Sequence, residues 1–526
     1  MRASIRFIGL LLVSFLIIKP ASAQVITSPQ IDQLVEKTLK TFEVPGIAVA
    51  IVKDGNVIHS KGYGVRSMHS TQKVDANTLF GIASNSKAFT AATLGMLVDE
   101  GKLTWDDKVI DYIPEFRLYN AYVTEDFTIR DLLTHRSGLG LGAGDLMFFP
   151  DSSDFQLKDV IHNLRYLKQT SGFRTKYDYD NLLYMVAGEV VKRASGQSWE
   201  EFVETRIMKP LQMENSAASF SRLKNKSNVI EAHAVIEGKL RTVRRGRLDV
   251  GNSAGGINSS INDLSKWVIM QLNGGKYGDG LSKTLFSAKV QDDMWSPQTI
   301  IPVRAPGPYN THFSSYGLGW RLNDAKGYKQ ISHTGGLPGM VTQVMLIPEL
   351  KLGIIVLTNQ QSGAAFTAIT NQILDSYFGI TGTDRVKEYS DRLRENTANA
   401  DKVTDEVWKT VKAEKESTAA KPPIHFYTGT YHDKWLGDVS IVPDNLRLLF
   451  VSKRSPRLSG ELFPYKGNTF VVKWNDRSLE ADAFVMFGLD YEGKPVSMKM
   501  KAISPLTDFS YDFHDLEFTK KLTMDH

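Results

Sequence analysis

Ile31, Leu34, Val35, Leu39 and Phe42 recur at helical spacing, with Thr38 on the same stripe, and predict an opening amphipathic helix. Two strand-like runs follow, over residues 47–52 and 57–63, joined across Lys53-Asp54-Gly55-Asn56. An Asp-Gly pair between such runs signals a hairpin, because both turn positions need positive φ. Far along the chain the same arrangement returns, with strands predicted over 341–347 and 352–357 and a helix carrying Phe366, Ile369, Ile373 and Tyr377. A unit whose two ends both offer helix and antiparallel strand predicts one sheet assembled from both termini and covered by those helices. The stretch between them is expected to form a mostly helical lobe.

Beyond residue 380 the pattern changes twice. From Thr383 to about Lys421 charge replaces apolar content, while Val386, Tyr389 and Leu393, then Val403, Val407 and Val411, keep helical spacing. A surface helical connector ending at Pro422-Pro423 is expected. After it the period drops to two. Short alternating runs at 439–442, 446–451, 470–474 and 496–500 are separated by turn clusters such as Pro443-Asp444-Asn445 and Lys466-Gly467-Asn468, which predicts a small antiparallel barrel or sandwich. The expected organisation is therefore an α/β (α+β) unit over 24–380, a connector over 381–425 and a β-barrel over 426–526. Its separate cores would let the first unit fold without the last.

At 526 residues the chain exceeds what one hydrophobic core supports. The N-terminus has the form of an export signal. Arg2 and Arg6 precede an apolar run over 7–18 that is too short to span a bilayer, and Ala21-Ser22-Ala23 supplies a small-residue cleavage pattern. Export to the periplasm or medium, with cleavage near Ala23 and no membrane span retained, is expected. Net charge is +5, and three of those charges sit in this leader, so nothing in the balance points to nucleic acid. The basic group Lys239, Arg241, Arg244, Arg245 and Arg247 is local and reads as a solvated hairpin. With no cysteine, disulfides and thiolate metal sites are excluded.

The central chemical signal is Ser84-Asn85-Ser86-Lys87, followed by a helix-forming run from Ala88 to Leu97. With Ser84 at the helix start, Lys87 lies one turn on and on the same face, within reach of the hydroxyl. A serine hydroxyl is a weak nucleophile until a base removes its proton, and a lysine in a buried setting can have its pKa lowered enough to act as that base. Tyr179-Asp180-Asn181 precedes a helical run over 182–191. There the tyrosine can relay a proton, and the Asn181 amide can hold substrate backbone. His333-Thr334-Gly335-Gly336 precedes or edges the strand near Val341. There Thr334 can meet a substrate carboxylate and Gly335 lets substrate approach. The Gly336 N–H would complete an oxyanion hole with that of Ser84.

These phrases resemble the serine β-lactamase-like and penicillin-binding hydrolases, nearest to the class C β-lactamases. The resemblance runs through Gly81-Ile82-Ala83-Ser84-Asn85-Ser86-Lys87, Leu132-Leu133-Thr134-His135-Arg136-Ser137-Gly138, Ala254-Gly255-Gly256-Ile257 and His333-Thr334-Gly335-Gly336-Leu337-Pro338-Gly339. It implies a mixed sheet beside a helical lobe, with the site between them. Residues 426–520, through Tyr427-Thr428-Gly429-Thr430-Tyr431, resemble the lipocalin-like domains appended to this family. Two positions depart from the pattern. Histidine stands at 333 where the class C enzymes have lysine, and Asp180 stands where serine or alanine is usual. A histidine can shed its charge near neutral pH, so a pH-dependent hold on an anionic substrate is expected of His333.

Other readings compete. Gly251-Asn252-Ser253-Ala254-Gly255 fits a nucleophile elbow, which needs a strand before the serine and a helix directly after it, yet Gly255-Gly256 makes poor helix. His135 fits a helix end with a structural hydrogen bond better than a triad base, and Met147-Phe148-Phe149-Pro150 is either pocket lining or core. No spacing supports a metal, and no cofactor is called for. The resulting expectation is an exported serine hydrolase acting on a small-molecule or peptide substrate, including one derived from cell wall. It would cleave an amide or ester (D-amino-acid peptide, ester or β-lactam) through an acyl-Ser84 intermediate. The alternative is a penicillin-binding receptor or non-catalytic module that acylates without turnover. The oligomeric state is left open.

Overall fold

The computed structural model describes residues 25–246, 248–418 and 423–521, so the leader, Arg247 and Pro422 lie outside the described residues. The main sheet has eight strands: β1 (Gly46–Lys53), β2 (Asn56–Gly64), β3 (Thr299–Ile300), β4 (Ser314–Tyr316), β5 (Arg321–Ala325), β6 (Tyr328–Leu337), β7 (Met340–Ile347) and β8 (Leu352–Thr358). Their order is β2-β1-β8-β7-β6-β5-β4-β3. As the hydrophobic pattern predicts, the two ends of the unit meet inside the sheet, where β1 pairs β8 with Ile47 opposite Thr358. Asp54 and Gly55, at φ 51° and 78°, make the β1–β2 turn.

The α/β architecture is as expected, with one refinement. Where a mixed sheet is implied by the resemblance, every pairing is antiparallel. The reason is the short connections from β5 to β8, since two- to four-residue links reverse the chain and cannot make a parallel crossover.

The longer helices are α1 (Ser28–Thr41), α2 (Ser86–Asp99), α3 (Leu182–Ser195), α4 (Ile261–Leu272), α5 (Gly363–Tyr377) and α6 (Arg385–Glu416). The central strands are apolar throughout because both faces are covered. Ile47, Val49, Ile51, Ile354 and Val356 pack with residues of α1 and α5. Ala48, Ala50, Val52, Ile355 and Leu357 face the other way, into the cluster that contains Phe89 of α2 and Trp267 of α4. Each fully buried valine, isoleucine or leucine side chain among these contributes about 1.5–3 kcal/mol. Burying the central strands on both sides holds rigid the sheet whose strands β5, β6 and β7 line the site. Among the described residues no helix is long and apolar enough to cross a membrane.

The connector is one continuous 32-residue helix, α6. Val386, Ala400, Val407 and Val411 turn inward. Its start is held by Arg385, whose guanidinium donates to Asp375 at 2.7 and 3.0 Å. Beyond it, eight antiparallel strands from Gly429–Asp433 to Phe518–Lys520 close into a barrel, with Tyr431 opposite Lys520 at the seam.

The expectation of separate cores does not hold. One continuous apolar cluster runs from α2 and α3 into the barrel interior. Across the junction the Phe149 and Tyr511 rings meet at 5.1 Å, Asn163 donates to the Trp435 carbonyl at 2.8 Å, and Arg454 reaches Asp154 and Asp159 at 2.6 and 2.9 Å. The basic hairpin is also only partly solvated. Lys239 and Arg241 are exposed, whereas Arg245 donates to Asn258 and to the Ile230 carbonyl.

Candidate active site

Ser84 is the middle residue of a single 3-10 turn, Ala83–Asn85, that leads directly into α2. Ala83 has φ 49°, a left-handed conformation that costs a non-glycine residue about 1–2 kcal/mol. The turn is held in place by Asn85, which donates to Thr342 of β7 at 2.9 Å. Ser86 points away from the cleft and accepts the Ile257 N–H. Lys87, one turn on, is completely buried. Its Nζ lies 3.1 Å from Ser84 Oγ, 2.7 Å from Asn181 Oδ1 and 2.9 Å from the Ala254 carbonyl. Burial pushes its pKa down to about 7, against the opposing pull of Asp145 and Asp180. A neutral amine has two hydrogens and one lone pair. Here the hydrogens are taken by Asn181 and Ala254, which leaves the lone pair facing the serine hydroxyl.

Asn181 closes the start of α3, and both ends of its amide are engaged: Oδ1 by Lys87, and Nδ2 by Asp145 at 2.8 Å. Asn181 therefore orients the lysine. Tyr179 packs its ring over the Lys87 amine at 4.8 Å, and the Ser84 side chain is near enough to its hydroxyl to stabilise the phenolate. Burial pushes the phenol well above its usual range, so between the two, Lys87 is the group able to be unprotonated near neutrality. Asp180 is fully buried, accepts the Leu183 N–H, and is raised to about 7 by desolvation. His135 takes the structural role expected of it, accepting the Asp180 N–H on Nδ1 at 3.1 Å.

Strand β6 forms the opposite wall. The alternation of a strand decides what each residue does. Thr334 and Gly336 turn toward the cavity, and a methyl group at Gly336 would meet nothing. Gly335, expected to ease the approach of substrate, instead faces the protein. A Cβ there would stand 2.2 Å from the Ile82 carbonyl oxygen and 2.6 Å from Thr342 Oγ1, so this glycine lets β6 press against the Ser84 turn.

The expectation that His333 titrates is also corrected. Its Nδ1–H donates to the Thr334 carbonyl at 2.6 Å, and its Nε2 accepts from Tyr316 at 2.9 Å. Burial first, then Lys87, lowers its pKa to about 3. His333 is a neutral strut in the working range. The cationic side chain on the cavity wall is that of Arg321.

The cavity holds about 490 Å³ and is lined on the aromatic side by Phe148, Tyr177, Tyr179, Tyr316 and Phe509. Phe509 and its neighbour Ser510 come from the barrel. They, Arg321, Tyr316 and Asp145 were not singled out by motif. Asp145 carries the one available signal, an acid set among Leu146-Met147-Phe148. Ser253 does not form an elbow. The preceding strand ends at Val243, and Ser253 is buried in a single helical turn whose Ala254 carbonyl serves Lys87. Among the described residues no group of three or more His, Asp or Glu is arranged to hold a metal.

Residues 31–377 match the model of the Beta-lactamase family, and residues 413–520 match a domain of unknown function (DUF3471). The unguisins hydrolase ungD' of Aspergillus campestris is 28% identical over 482 residues, covering 88% of this chain and 87% of its own length. The octameric penicillin-binding protein homologue from Pyrococcus abyssi superposes with a TM-score of 0.60 at 21% identity, over 94% of this chain and 100% of that one. A class C beta-lactamase superposes at 0.53 and 22% identity, over 67% of this chain and 96% of its own. With two thirds of its length matched by that model, and with the fold of those structures, the chain belongs to the Beta-lactamase family.

Proposed function

We propose that this protein is an exported serine hydrolase that opens an amide or ester bond through an acyl-Ser84 intermediate. The observation that carries the reading is the amine of Lys87, stripped of water, 3.1 Å from Ser84 Oγ with its other two contacts made. In acylation the Ser84 proton passes to Lys87 Nζ as Oγ bonds to the carbonyl carbon. The oxyanion is received by the N–H groups of Ser84 and Gly336, each such donor being worth about 3–4 kcal/mol. The proton on Lys87 then travels through the Tyr179 hydroxyl to the leaving nitrogen or oxygen, and the carbonyl-to-leaving-group bond breaks. In deacylation a water gives its proton to the same pair and its oxygen bonds to the acyl carbon. Ser84 Oγ departs and regains a proton.

Thr334 faces the incoming substrate, Asn181 and His333 keep the walls in register, and the substrate class spans D-amino-acid peptides, esters and β-lactams. The hydrolase name of the fungal relative supports the reaction class. The leader over residues 1–23 supports export to the periplasm or medium. The helix α6 between the two units supports a domain division at about 380 and 425.

The test is Ser84→Ala in purified mature protein, read by ester hydrolysis and by fluorophosphonate labelling. Both are expected to vanish, while Ser253→Ala keeps them. A label found on another residue overturns the assignment, and stoichiometric acylation with no turnover of any of the three substrate classes would describe a receptor instead.

A further inference from the structure

The loop after the seventh barrel strand, Pro495–Ala502, leaves the barrel and enters the cavity. Phe509 stands edge-on to the Tyr179 ring at 5.6 Å. Gly142, at φ 72°, has no room for a side chain, because the Phe509 carbonyl oxygen would lie 2.5 Å from its Cβ. Ser510 Oγ donates to Asp145 Oδ2 at 2.8 Å, and the Gly144 N–H donates to Asp512 Oδ2 at 2.5 Å. The loop is shaped in advance by Asp508, which accepts the Ser510 N–H at 2.9 Å. Ser510, Asp145, Asn181 and Lys87 are all buried, so their hydrogen bonds form a single chain without competing water.

We infer that Ser510, carried by the barrel, is a positioning residue for the base: its hydroxyl fixes Asp145, Asp145 holds Asn181, and Asn181 holds Lys87 against Ser84. The inference rests on the acyl-Ser84 reading and extends it to a residue more than 400 positions away in sequence. Ser510 and Asn181 converge on the same oxygen of Asp145. With one donor gone the carboxyl group can turn, and the amide that sets the lysine loses its anchor. Burial pushes the Asp145 carboxyl well above the usual carboxylate range, and the hydrogen bonds from Ser510 and Asn181 oppose that rise; any charge Asp145 carries favours protonated Lys87. The other titratable groups facing this set are Asp180, Asp508, Asp512, Tyr179, Tyr184, His135 and His333; of these Asp508, held above the usual carboxylate range by burial, is in contact with Ser510, whose N–H it accepts.

The experiment compares Ser510→Ala and Ser510→Thr in the full mature chain with a chromogenic acetate ester. For Ser510→Ala, kcat is expected to fall roughly tenfold with KM within about twofold, the kinetic equivalent of one lost buried hydrogen bond. The acid limb of kcat should move to lower pH, because a less ionised Asp145 releases the Lys87 proton more readily. Ser510→Thr keeps the hydroxyl and should restore both. In an Asn181→Ala background, Ser510→Ala should add little, since the chain is already cut. Lys168→Gln, which breaks the 2.6 Å pair with Glu517 at the same junction, should leave kcat unchanged. Should the alanine variant not fold, Ser510→Cys keeps the volume with a weak donor and should show the same kcat loss. Wild-type kcat and acid limb in Ser510→Ala, or losses that simply add to those of Asn181→Ala, would overturn the inference. Persistent activity in Ser84→Ala would instead overturn the reading beneath it.

Discussion

Lys87 was legible in the sequence because its partner is three residues away on one helical turn, where spacing alone places two side chains together. What suits it to the proposed role of base was not, since its pKa is lowered by burial against the pull of Asp145 and Asp180, and its amine is aimed by Asn181 and Ala254, all of which arrive from other parts of the chain. The consequence is measurable. Only the neutral amine can accept the Ser84 proton, so kcat/KM should rise with pH along a single acid limb near pH 7 and be lost below it. The limb belongs to the lysine and Asp180 together, because both titrate in that range and sense each other's charge. His333 should contribute nothing to it. A group held neutral down to about pH 3 cannot switch an anionic preference on and off between pH 5 and 8. Profiles for one carboxylate-bearing and one neutral ester are therefore expected to share the same limb, and a separate step for the charged substrate would show that His333 does titrate.

At the scale of elements, the sheet was readable wherever a hairpin tied neighbours in sequence, as for β1–β2 and β7–β8, and the helices wherever an apolar stripe was buried on one side. Four of the barrel strands escaped notice. Ser459–Lys466 carries Pro464 at a register shift, and Ala483–Leu489 has apolar Phe484 and Met486 at its outward positions, so neither shows a clean period of two in the sequence. The same register logic separates two adjacent glycines that sequence alone cannot rank. Gly335→Ala drives a methyl group into the Ile82 carbonyl and Thr342, and is expected to destabilise the protein by about 1–3 kcal/mol, as overpacking does, while displacing the Ser84 turn and lowering fluorophosphonate labelling. Gly336→Ala meets open space and should leave the thermal midpoint unchanged. Paired melting curves and labelling rates decide it: equal midpoints for the two variants would mean that β6 does not press on the turn.

At the scale of the whole molecule, charge and helical spacing in α6 made a tether between independent units the natural reading, and the packed junction removes that independence. The barrel supplies Ser510 to Asp145, Asp512 to the Gly144 backbone and Tyr511 to Phe149, and Arg457 pairs with the buried Asp151 of the catalytic unit. Cutting the chain after residue 425 would take the Ser510 donor from Asp145 and Arg457 from Asp151, which keeps Arg244. It would also expose the apolar surface that now continues into the barrel. Unpaired buried polar groups cost about 1–3 kcal/mol each, and several at once exceed the margin by which most domains are stable. A chain of residues 24–425 is therefore expected to elute as aggregate, or to fold with fluorophosphonate labelling slowed at least about tenfold, since the lysine loses its anchor even where the fold survives. Adding the separately expressed barrel should then recover some labelling, because the missing donors are presented by its surface loop. A truncated protein that is monomeric and labels at the full rate would show that the cavity is complete without the barrel, and that the Ser510 contact is passive packing.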